Sequence, residues 1–430
     1  MMREALDAIV VGAGPGGSAA AYALAARGVR TLLLDKTVFP REKVCGDGLT
    51  PRAVAALHEM GVLERILPLA QSVSEVEVRG PDGAGVRAAV PAPTLPGGVV
   101  GLPAMLVVPR LHLDDAIRTR AVEAGACFEG GVDVEDIARE DGRLAVRATR
   151  GGRPVTYSAR LAIVATGASI ALPRRLGALS RPPAMMLAAR TYVTRRDGVE
   201  GDGAEGNGPA RRGPRSAPRV EIRFAGVPLP GYGWIFPTSA STANVGVGYF
   251  ARRRGRVPAA RAACERFMET LEGFGAPGGA RGVESIRSYP LRVDFPASPV
   301  HANGALFAGE AAGLVNPLTG EGIDYALESG RIAADHAAAF LSGRDQSPRA
   351  FAAAASAYER ALRGRFERLF AICRVLRDVS SRAAVLNRLV RVAGRREDLT
   401  TALVNIVLGN REPLGPAPMR TALRALLVRG

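Results

Sequence analysis

The stretch LDAIVVGAGPGGSAAAYALAARG, residues 6–28, decides the fold of the first part of the chain. Its apolar run at residues 6–11 is typical of a buried strand. A glycine-rich turn then leads into an alanine-rich helix predicted over residues 18–27, which Gly28 ends. Residues 29–34 (VRTLLL) are predicted to form a second strand. A strand, a turn, a helix and a strand within about thirty residues predict a βαβ unit with parallel strands.

The turn carries the GxGxxG pattern in the setting that dinucleotide binding requires. Gly12 permits the tight turn, Gly14 lets a pyrophosphate approach the backbone, and Gly17 lets the helix pack closely on the strand. Unpaired N–H groups at the helix N-terminus favour phosphate. Asp35 lies 23 residues after Gly12 at the end of the second strand, where an acid binds ribose hydroxyls. The predicted cofactor contacts here are Gly12, Gly14, Pro15, Gly16, Gly17, Asp35 and Lys36.

Two further strand-to-glycine junctions occur later in the chain. Residues 160–166 (RLAIVAT) precede Gly167, and residues 305–308 (ALFA) precede Gly309. Because the junctions are far apart, they predict one nucleotide-binding domain assembled from separate segments, with an α/β fold. The segments assigned to this Rossmann-type domain are residues 1–70, 105–180 and 298–345.

The remaining segments show a different sequence pattern. Alternating, strand-rich stretches at 71–104 and 181–297 predict an antiparallel sheet that walls a substrate pocket. Within them, the Gly-, Pro- and charge-rich residues 195–219 are predicted to be a flexible surface insertion. Residues 346–430 are predicted to be a C-terminal helical region.

Charge and composition limit the classes of function. With 47% hydrophobic residues the chain is globular, and its net charge of +16 favours acidic partners such as nucleic acid or anionic lipid. We exclude nucleic acid because no recognisable binding motif accompanies the charge. Residues 351–430 hold 15 arginines against six acidic residues. Either this region packs on the core as a helical lobe, or its helices lie on an anionic membrane surface.

The four cysteines, Cys45, Cys127, Cys264 and Cys373, contain no CxxC pair. This argues against a zinc site, an iron–sulfur cluster and a disulfide scaffold, and no metal site is predicted. No apolar run approaches the roughly 20 residues that a membrane span needs, and no secretory signal precedes the first strand. We therefore expect a cytoplasmic protein, with peripheral contact at the inner face of the cytoplasmic membrane left open.

Residues 308–323 (AGEAAGLVNPLTGEGI) resemble the second FAD motif of the para-hydroxybenzoate hydroxylase and glutathione reductase superfamily. The resemblance implies noncovalently bound FAD, with Glu310 on the ribityl chain where most relatives have Asp. It also implies that the following helix N-terminus faces the flavin pyrimidine. Arg110 resembles the superfamily's FAD-contacting arginine. The contacts implied in this way are Arg110, Gly309, Glu310, Pro317, Gly320, Glu321, Gly322 and Ile323.

Two more motifs resemble the geranylgeranyl reductase family, including actinobacterial menaquinone-side-chain reductases. They are residues 43–53 (KVCGDGLTPRA) and residues 231–237 (GYGWIFP), the latter similar to the family's YxWxFP motif. The likeness covers residues 6–345. It implies hydride transfer from reduced flavin to a C=C bond of a polyprenyl chain, on menaquinone or on a geranylgeranyl lipid precursor. The electron donor stays open between NAD(P)H and ferredoxin.

The same resemblance assigns candidate catalytic residues. Cys45, with Gly46 beside it, is predicted to lie near the flavin as a proton donor or pocket gate; the alternative is a small apolar filler. Tyr232 and Trp234 are predicted to line an apolar channel, and the alternative is ordinary core packing.

Two other functions are compatible with the fold. A flavin monooxygenase or halogenase is weakened by Thr166, which stands where related hydroxylases carry an Asp before glycine. GYGWIFP distantly resembles the halogenase motif WxWxIP, but neither Lys36 nor Lys43 has a recognisable halogenase setting. An electron relay to quinone would need a cysteine-bound cluster, against which the scattered cysteines argue.

Overall fold

The structure is a computed structural model that describes residues 6–93, 95, 101–194, 218–250, 258–271, 274 and 285–408. The strands in these residues are β1 (Ala8–Val11), β2 (Thr31–Asp35), β3 (Gly48–Leu49), β4 (Gln71–Val73), β5 (Glu75–Arg79), β6 (Gly85–Ala89), β7 (Met105–Val107), β8 (Cys127–Gly130), β9 (Val132–Glu140), β10 (Arg143–Arg150), β11 (Arg153–Ala159), β12 (Leu161–Val164), β13 (Met185–Thr194), β14 (Arg219–Arg223), β15 (Gly231–Pro237), β16 (Thr242–Phe250), β17 (Arg287–Arg292), β18 (His301–Ala302) and β19 (Ala305–Phe307).

The helices in the same residues are α1 (Pro15–Ala25), α2 (Pro51–Glu59), α3 (Leu63–Ile66), α4 (Arg110–Glu123), α5 (Ala171–Arg175), α6 (Ala260–Glu269), α7 (Ile323–Ser342), α8 (Pro348–Val379), α9 (Ala383–Ala393) and α10 (Glu397–Val407). Short 3₁₀ turns add Leu67–Leu69 and Gly309–Ala312.

The first sheet has six strands in the order β18-β19-β12-β1-β2-β8, and its strands are parallel except for the β18–β19 pair. Every residue of β1 is buried, and Val10 stands between Leu33 and Ile163 in the register. Apolar runs without alternation suit strands covered on both faces. The predicted α/β class is confirmed, and segments far apart in sequence meet in this sheet.

Helix α1 begins at Pro15, three residues before its predicted start, because proline is well suited to a first helical turn. Gly28 follows the helix with φ of +75°. Helix α1 lies very close to α7: a Cβ on Gly330 would stand 2.2 Å from the carbonyl oxygen of Gly16. Close backbone approach therefore fixes the glycine-rich turn against the second half of the domain.

The second sheet has seven strands in the order β17-β13-β16-β15-β14-β5-β6. All neighbours are antiparallel except β5 and β14, which are parallel. Side chains alternate between its faces. One face packs on α6 through residues such as Val245, Val247 and Phe267, whereas the other lines a large cavity.

Two predicted boundaries differ from the structure. Strand β4 pairs with β7 in a small sheet with β3, so the boundary at residue 71 falls inside that sheet. The predicted insertion at 195–219 lies outside the described residues from 195 to 217, and its last residue, Arg219, is the first residue of β14.

Helix α8 packs on the core, as the first of the two interpretations of the tail expected. Phe366 and Phe370 are fully buried, and the ring of Phe370 lies 5.0 Å from that of Tyr325 in α7. The hydroxyl of Tyr358 donates to the carbonyl oxygen of Phe307 at 2.6 Å. Helices α9 and α10 continue past this core and pack against β6. Across the described part of the chain, no helix combines the length and apolar character needed to cross a bilayer.

Candidate active site

A cavity of about 670 Å³ lies between the carboxyl ends of the parallel strands and the inner face of the second sheet. Ligand sites of open α/β sheets form at this edge. All the sequence-predicted site residues line the cavity except Gly17 and Pro317. Gly17 instead makes the predicted helix–strand packing possible, since a Cβ there would stand 1.8 Å from the carbonyl oxygen of Gly12. Pro317 is buried beside the cavity.

The polar end of the cavity is what we call the glycine cradle, formed by residues 12–16, Asp35, Glu310 and residues 320–323. Gly12 has φ of +99°, and a Cβ there would stand 2.4 Å from the carbonyl oxygen of Ala165. No side chain caps the N-terminus of α1. Its unpaired N–H groups therefore make this end of the cavity suitable for an anion.

Acidic side chains flank the cradle on both sides. Asp35 accepts hydrogen bonds from the backbone N–H of Ala13 at 2.7 Å and of Thr37 at 2.9 Å, which fix its carboxylate at the end of β2. Glu310 accepts from the backbone N–H of Arg292 at 3.0 Å. Burial raises the pKa of Glu310. The two acids thus mark opposite ends of the cradle, next to β2 and β19.

Lys43 lies beside Glu310, a placement that the sequence did not predict. Its Nζ stands 2.9 Å from the ring centroid of Tyr289. Burial lowers the pKa of Lys43, while attraction to Glu310 opposes that shift. A cation here complements the half-buried Glu310 carboxylate and an anionic ligand of the cradle.

Arg110 is buried in an ion-pair cluster beneath the cradle. Its Nε and Nη2 donate to both oxygens of Asp114 at 2.6 and 2.8 Å, and Arg41 also pairs with Asp114 at 3.0 Å. Arg41 reaches within 3.5 Å of where a Cβ of Gly14 would lie. Arg110, which was predicted to contact FAD, therefore lines the cavity, and Arg41 adds a second cation near the phosphate-binding turn.

Cys45 lies on the loop between β2 and β3 and lines the cavity. Its Sγ accepts from the backbone N–H of Asp47 at 3.4 Å. Burial raises the pKa of the Cys45 thiol. The thiol is therefore protonated at neutral pH, which suits a proton donor or an apolar gate but not a nucleophilic thiolate.

The motif GYGWIFP forms β15, and its aromatic side chains face the cavity. The ring centroids of Tyr232 and Trp234 are 6.1 Å apart, and those of Trp234 and Phe236 are 6.3 Å apart. On the neighbouring strand, a Cβ on Gly246 would stand 2.3 Å from Trp234. The Tyr232 hydroxyl donates to the carbonyl oxygen of Thr319 and so joins this wall to the cradle.

Glu321 caps α7 with its own side chain. Its Oε1 accepts from the backbone N–H of Ile323 at 2.7 Å and of Asp324 at 3.4 Å. Burial raises the pKa of Glu321, and the nearby Asp324 raises it further. The positive end of α7 thus faces the cavity as the resemblance implied, although a protein carboxyl group already takes part of it.

The cavity continues into what we call the apolar arm. Its walls are the outer strands of the second sheet and the last two helices. Its lining side chains include Val76, Val78, Val86, Ala88, Val220, Ile222, Leu389, Leu403 and Val407. The C-terminal helices therefore do more than pack on the core, because they close one side of an apolar passage.

The geometry and chemistry of the cradle residues suit FAD. An uncapped helix N-terminus, a left-handed Gly12 and an acid at the end of β2 suit a pyrophosphate and a ribose. Half-buried Glu310 and the capped α7 N-terminus stand further along the same cavity. No group of His, Cys, Asp or Glu in the described segments is arranged to hold a metal ion.

Fold and site together define a flavoprotein of the para-hydroxybenzoate hydroxylase class. A family profile described as FAD binding domain matches residues 5–189. Menaquinone reductase of Mycobacterium tuberculosis is 35% identical over 80% of this chain and 78% of its own length. The chain belongs to the geranylgeranyl reductase family of FAD-dependent oxidoreductases.

More distant proteins share the fold over nearly the whole chain. Digeranylgeranylglycerophospholipid reductase 1 of Methanopyrus kandleri is 28% identical over 91% of this chain and 98% of its own. A geranylgeranyl bacteriochlorophyll reductase-like structure from Thermoplasma acidophilum has a TM-score of 0.75 at 22% identity, covering 98% of this chain and 96% of that one. A flavin-dependent brominase has a TM-score of 0.68 at 19% identity, covering 97% and 98%. Such structural likeness shows a shared fold alone.

Proposed function

We propose that this protein reduces C=C bonds of a polyprenyl chain, with a menaquinone side chain as the first candidate and a geranylgeranyl lipid precursor as the second. The apolar arm carries the proposal, because it continues from the cradle as a passage walled by aliphatic side chains. An isoprenoid chain offers only apolar surface and would gain about 25 cal/mol per Å² buried there. The similarity to menaquinone reductase supports the first candidate.

When bound and reduced, FAD supplies the hydride. The protein's part is to hold the lipid and exclude water. Trp234, Tyr232 and Phe236 form a rigid aromatic wall that would orient one double bond at the cradle, where placement dominates the rate. Cys45, with Gly46 packed against this wall, would be the donor or gate beside that bond.

We further propose peripheral contact with anionic membrane through α9 and α10. Exposed Arg382 and Arg395 flank α9, whose inner face lines the apolar arm. Basic side chains near an anionic surface each contribute about 1 kcal/mol to its binding. Such contact would place the arm next to the bilayer in which a long isoprenoid resides.

The test is mass spectrometry of lipids incubated anaerobically with FAD-loaded, dithionite-reduced protein. Menaquinone and geranylgeranyl diphosphate are offered separately. We expect a gain of two mass units, or a multiple, localised to the isoprenoid chain. An enzyme-free control distinguishes direct reduction of the quinone ring by dithionite from enzymatic reduction of the side chain. Unchanged lipids with a flavin that still reduces would overturn the proposal. Replacing dithionite with NADPH, NADH or reduced ferredoxin then identifies the electron donor.

A further inference from the structure

Asp47 is a buried acid that the proposed chemistry has not yet used. Its side chain is fully buried, and its φ of +66° is a left-handed conformation that few residues other than glycine adopt. Gly46 and Gly48 flank it, and a Cβ on either would stand within 3.3 Å of the ring of Phe236. The loop thus holds Asp47 against the aromatic wall of the cavity.

The two oxygens of Asp47 have different surroundings. Oδ2 accepts from the Tyr192 hydroxyl and from Nδ2 of Asn244, the latter at 2.8 Å. Oδ1 is buried and has no hydrogen-bond partner among the described residues, although Asp47 lines the cavity. A buried carboxyl oxygen without a hydrogen-bond partner is destabilising for the folded protein. An orphaned oxygen at a cavity wall is what a group that acts on a ligand would show.

Asn244 ties this acid to the predicted catalytic residues. Its Nδ2 also donates to the carbonyl oxygen of Cys45 at 2.8 Å, and its Oδ1 accepts from Nε1 of Trp234 at 2.9 Å. Asp47 therefore occupies a fixed position relative to both the loop and the wall.

Resting on the proposed function, we propose that Asp47 supplies the proton that completes alkene reduction, that Tyr192 positions its carboxyl group, and that Cys45 acts as the gate. As hydride adds to one carbon and the π bond breaks, the Asp47 O–H bond breaks and a C–H bond forms at the adjacent carbon. The O–H electron pair stays on the carboxylate. The carboxylate then takes a proton from water. Burial and the neighbouring Asp47 raise the pKa of Tyr192, so the half-buried phenol keeps its proton and holds Oδ2, which leaves Oδ1 unpaired.

The groups around Asp47 suit both the protonated acid that donates and the carboxylate that remains. Burial raises the pKa of Asp47 to about 6, against hydrogen bonds from Tyr192 and Asn244 and the charges of Arg190 and Arg110. The acid is therefore populated at mildly acidic pH, and the same donors and cations stabilise the carboxylate that remains. Arg190 lies 4.3 Å from the Tyr192 ring centroid and pairs with Glu42 at 3.3 Å. The Cys45 thiol is a further titratable group that interacts with this carboxyl.

The test compares Asp47→Asn and Tyr192→Phe with Cys45→Ala and with Tyr249→Phe, which removes a hydroxyl from the opposite face of the same sheet. Lipid product is measured after rapid quenching of FAD-loaded, reduced enzyme, with the polyprenyl lipid that wild type reduces. General acids contribute about 10²–10⁴-fold to rates, so we expect Asp47→Asn to lose at least about 100-fold. Tyr192→Phe should lose about tenfold and Tyr249→Phe nothing.

The pH profile separates a donor from a merely structural residue. Wild-type rates should fall as pH rises above about 6, because the reactive form is the protonated acid. Asp47→Asn should lack this limb and keep its FAD absorbance. A Cys45→Ala variant that loses the limb, with Asp47→Asn within threefold of wild type, would overturn the proposal.

An infrared measurement tests Asp47 without turnover. Holoprotein should show a carboxylic-acid C=O band that titrates near pH 6, disappears in Asp47→Asn and shifts in Tyr192→Phe. The Tyr192→Phe shift serves if Asp47→Asn does not fold. Absence of any such band in wild type would refute the proton role while leaving the reductase proposal intact. Failure of wild type to reduce any polyprenyl lipid would instead sink the proposed function.

Discussion

The glycine cradle and the apolar arm belong to one cavity but are built in opposite ways. The cradle consists of backbone, glycines and charged groups, packed so closely that no Cβ fits at Gly12 or, directly behind the cradle, at Gly17. The arm consists of aliphatic side chains from β5, β6, β14, α9 and α10. Apolar side chains of similar volume can replace one another at small cost, whereas backbone contacts cannot be repacked. The difference implies a fixed cofactor and an adjustable substrate.

The largest expected effect separates folding from FAD binding, at Gly17 behind the cradle and at Gly14 within it. Gly17→Val should destroy both, since its Cβ would stand 1.8 Å from the carbonyl oxygen of Gly12. Gly14→Val should remain folded, because the protein atom nearest to its Cβ would be Nη2 of Arg41 at 3.5 Å. It should nevertheless lose FAD, because the valine side chain would block the pyrophosphate. Circular dichroism reports the fold and flavin absorbance the cofactor. A yellow, fully loaded Gly14→Val protein would contradict the assignment of the cradle.

A second effect tests whether the arm holds the distal isoprene units. Ala88→Trp places an indole in the arm and should raise KM for a long polyprenyl substrate at least about 30-fold while sparing a short one, since a blocked site excludes ligand by steric overlap. Ala89→Trp, on the exposed opposite face of β6, is the matched control. Equal losses for long and short chains would place the lipid elsewhere.

A third effect concerns the junction of the two regions. Cys45→Ala should bind FAD normally and slow lipid reduction about tenfold. Without the gate side chain the double bond of the substrate is held less firmly at the cradle, and a small misplacement of the reacting atoms lowers the rate strongly. Exposed Cys127→Ala is the control. If mass spectrometry shows that Cys45→Ala turns over as fast as wild type, Cys45 is a packing residue and not a gate.

The smallest expected effect concerns the outer face of the arm. Arg395→Ala should weaken binding to anionic vesicles about fivefold, the equivalent of about 1 kcal/mol per basic residue near the surface. Arg153→Ala on β11, equally exposed, should change nothing. Sedimentation with vesicles checks both, and equal binding by all three proteins would remove the membrane proposal. Point variants are needed because truncating the tail would remove Phe366 and Phe370 and so uncover Tyr325 in α7.

The cradle could be predicted because its chemistry lies in short, ordered motifs. Gly12 and Glu310 follow strands of the same sheet and Asp35 ends one, and a local sequence pattern reports where a strand ends. The polar cluster around Asp47 could not be predicted, since Tyr192 and Asn244 come from strands about 150 and 200 residues away and neither has a local signal. Only the flanking Gly46 and Gly48 hinted that the residue between them has a special backbone.

The closing role of α9 and α10 was missed for a related reason. Their amphipathic pattern predicts one buried face, but an apolar face on a core and an apolar face on a cavity give the same periodicity. The predicted insertion boundary at Arg219 was wrong because its arginine-rich composition continues into β14.

The dispersed assembly of the first sheet bears on how the protein matures. Gly12 lies near the start of the chain and Glu310 about 300 residues later, yet both line the same cradle. A chain emerging from the ribosome cannot form that cradle until β19 and α7 have been synthesised and can pack beside β12 and α1. Cofactor loading would thus report that translation has passed the second motif, and prematurely terminated chains would stay colourless.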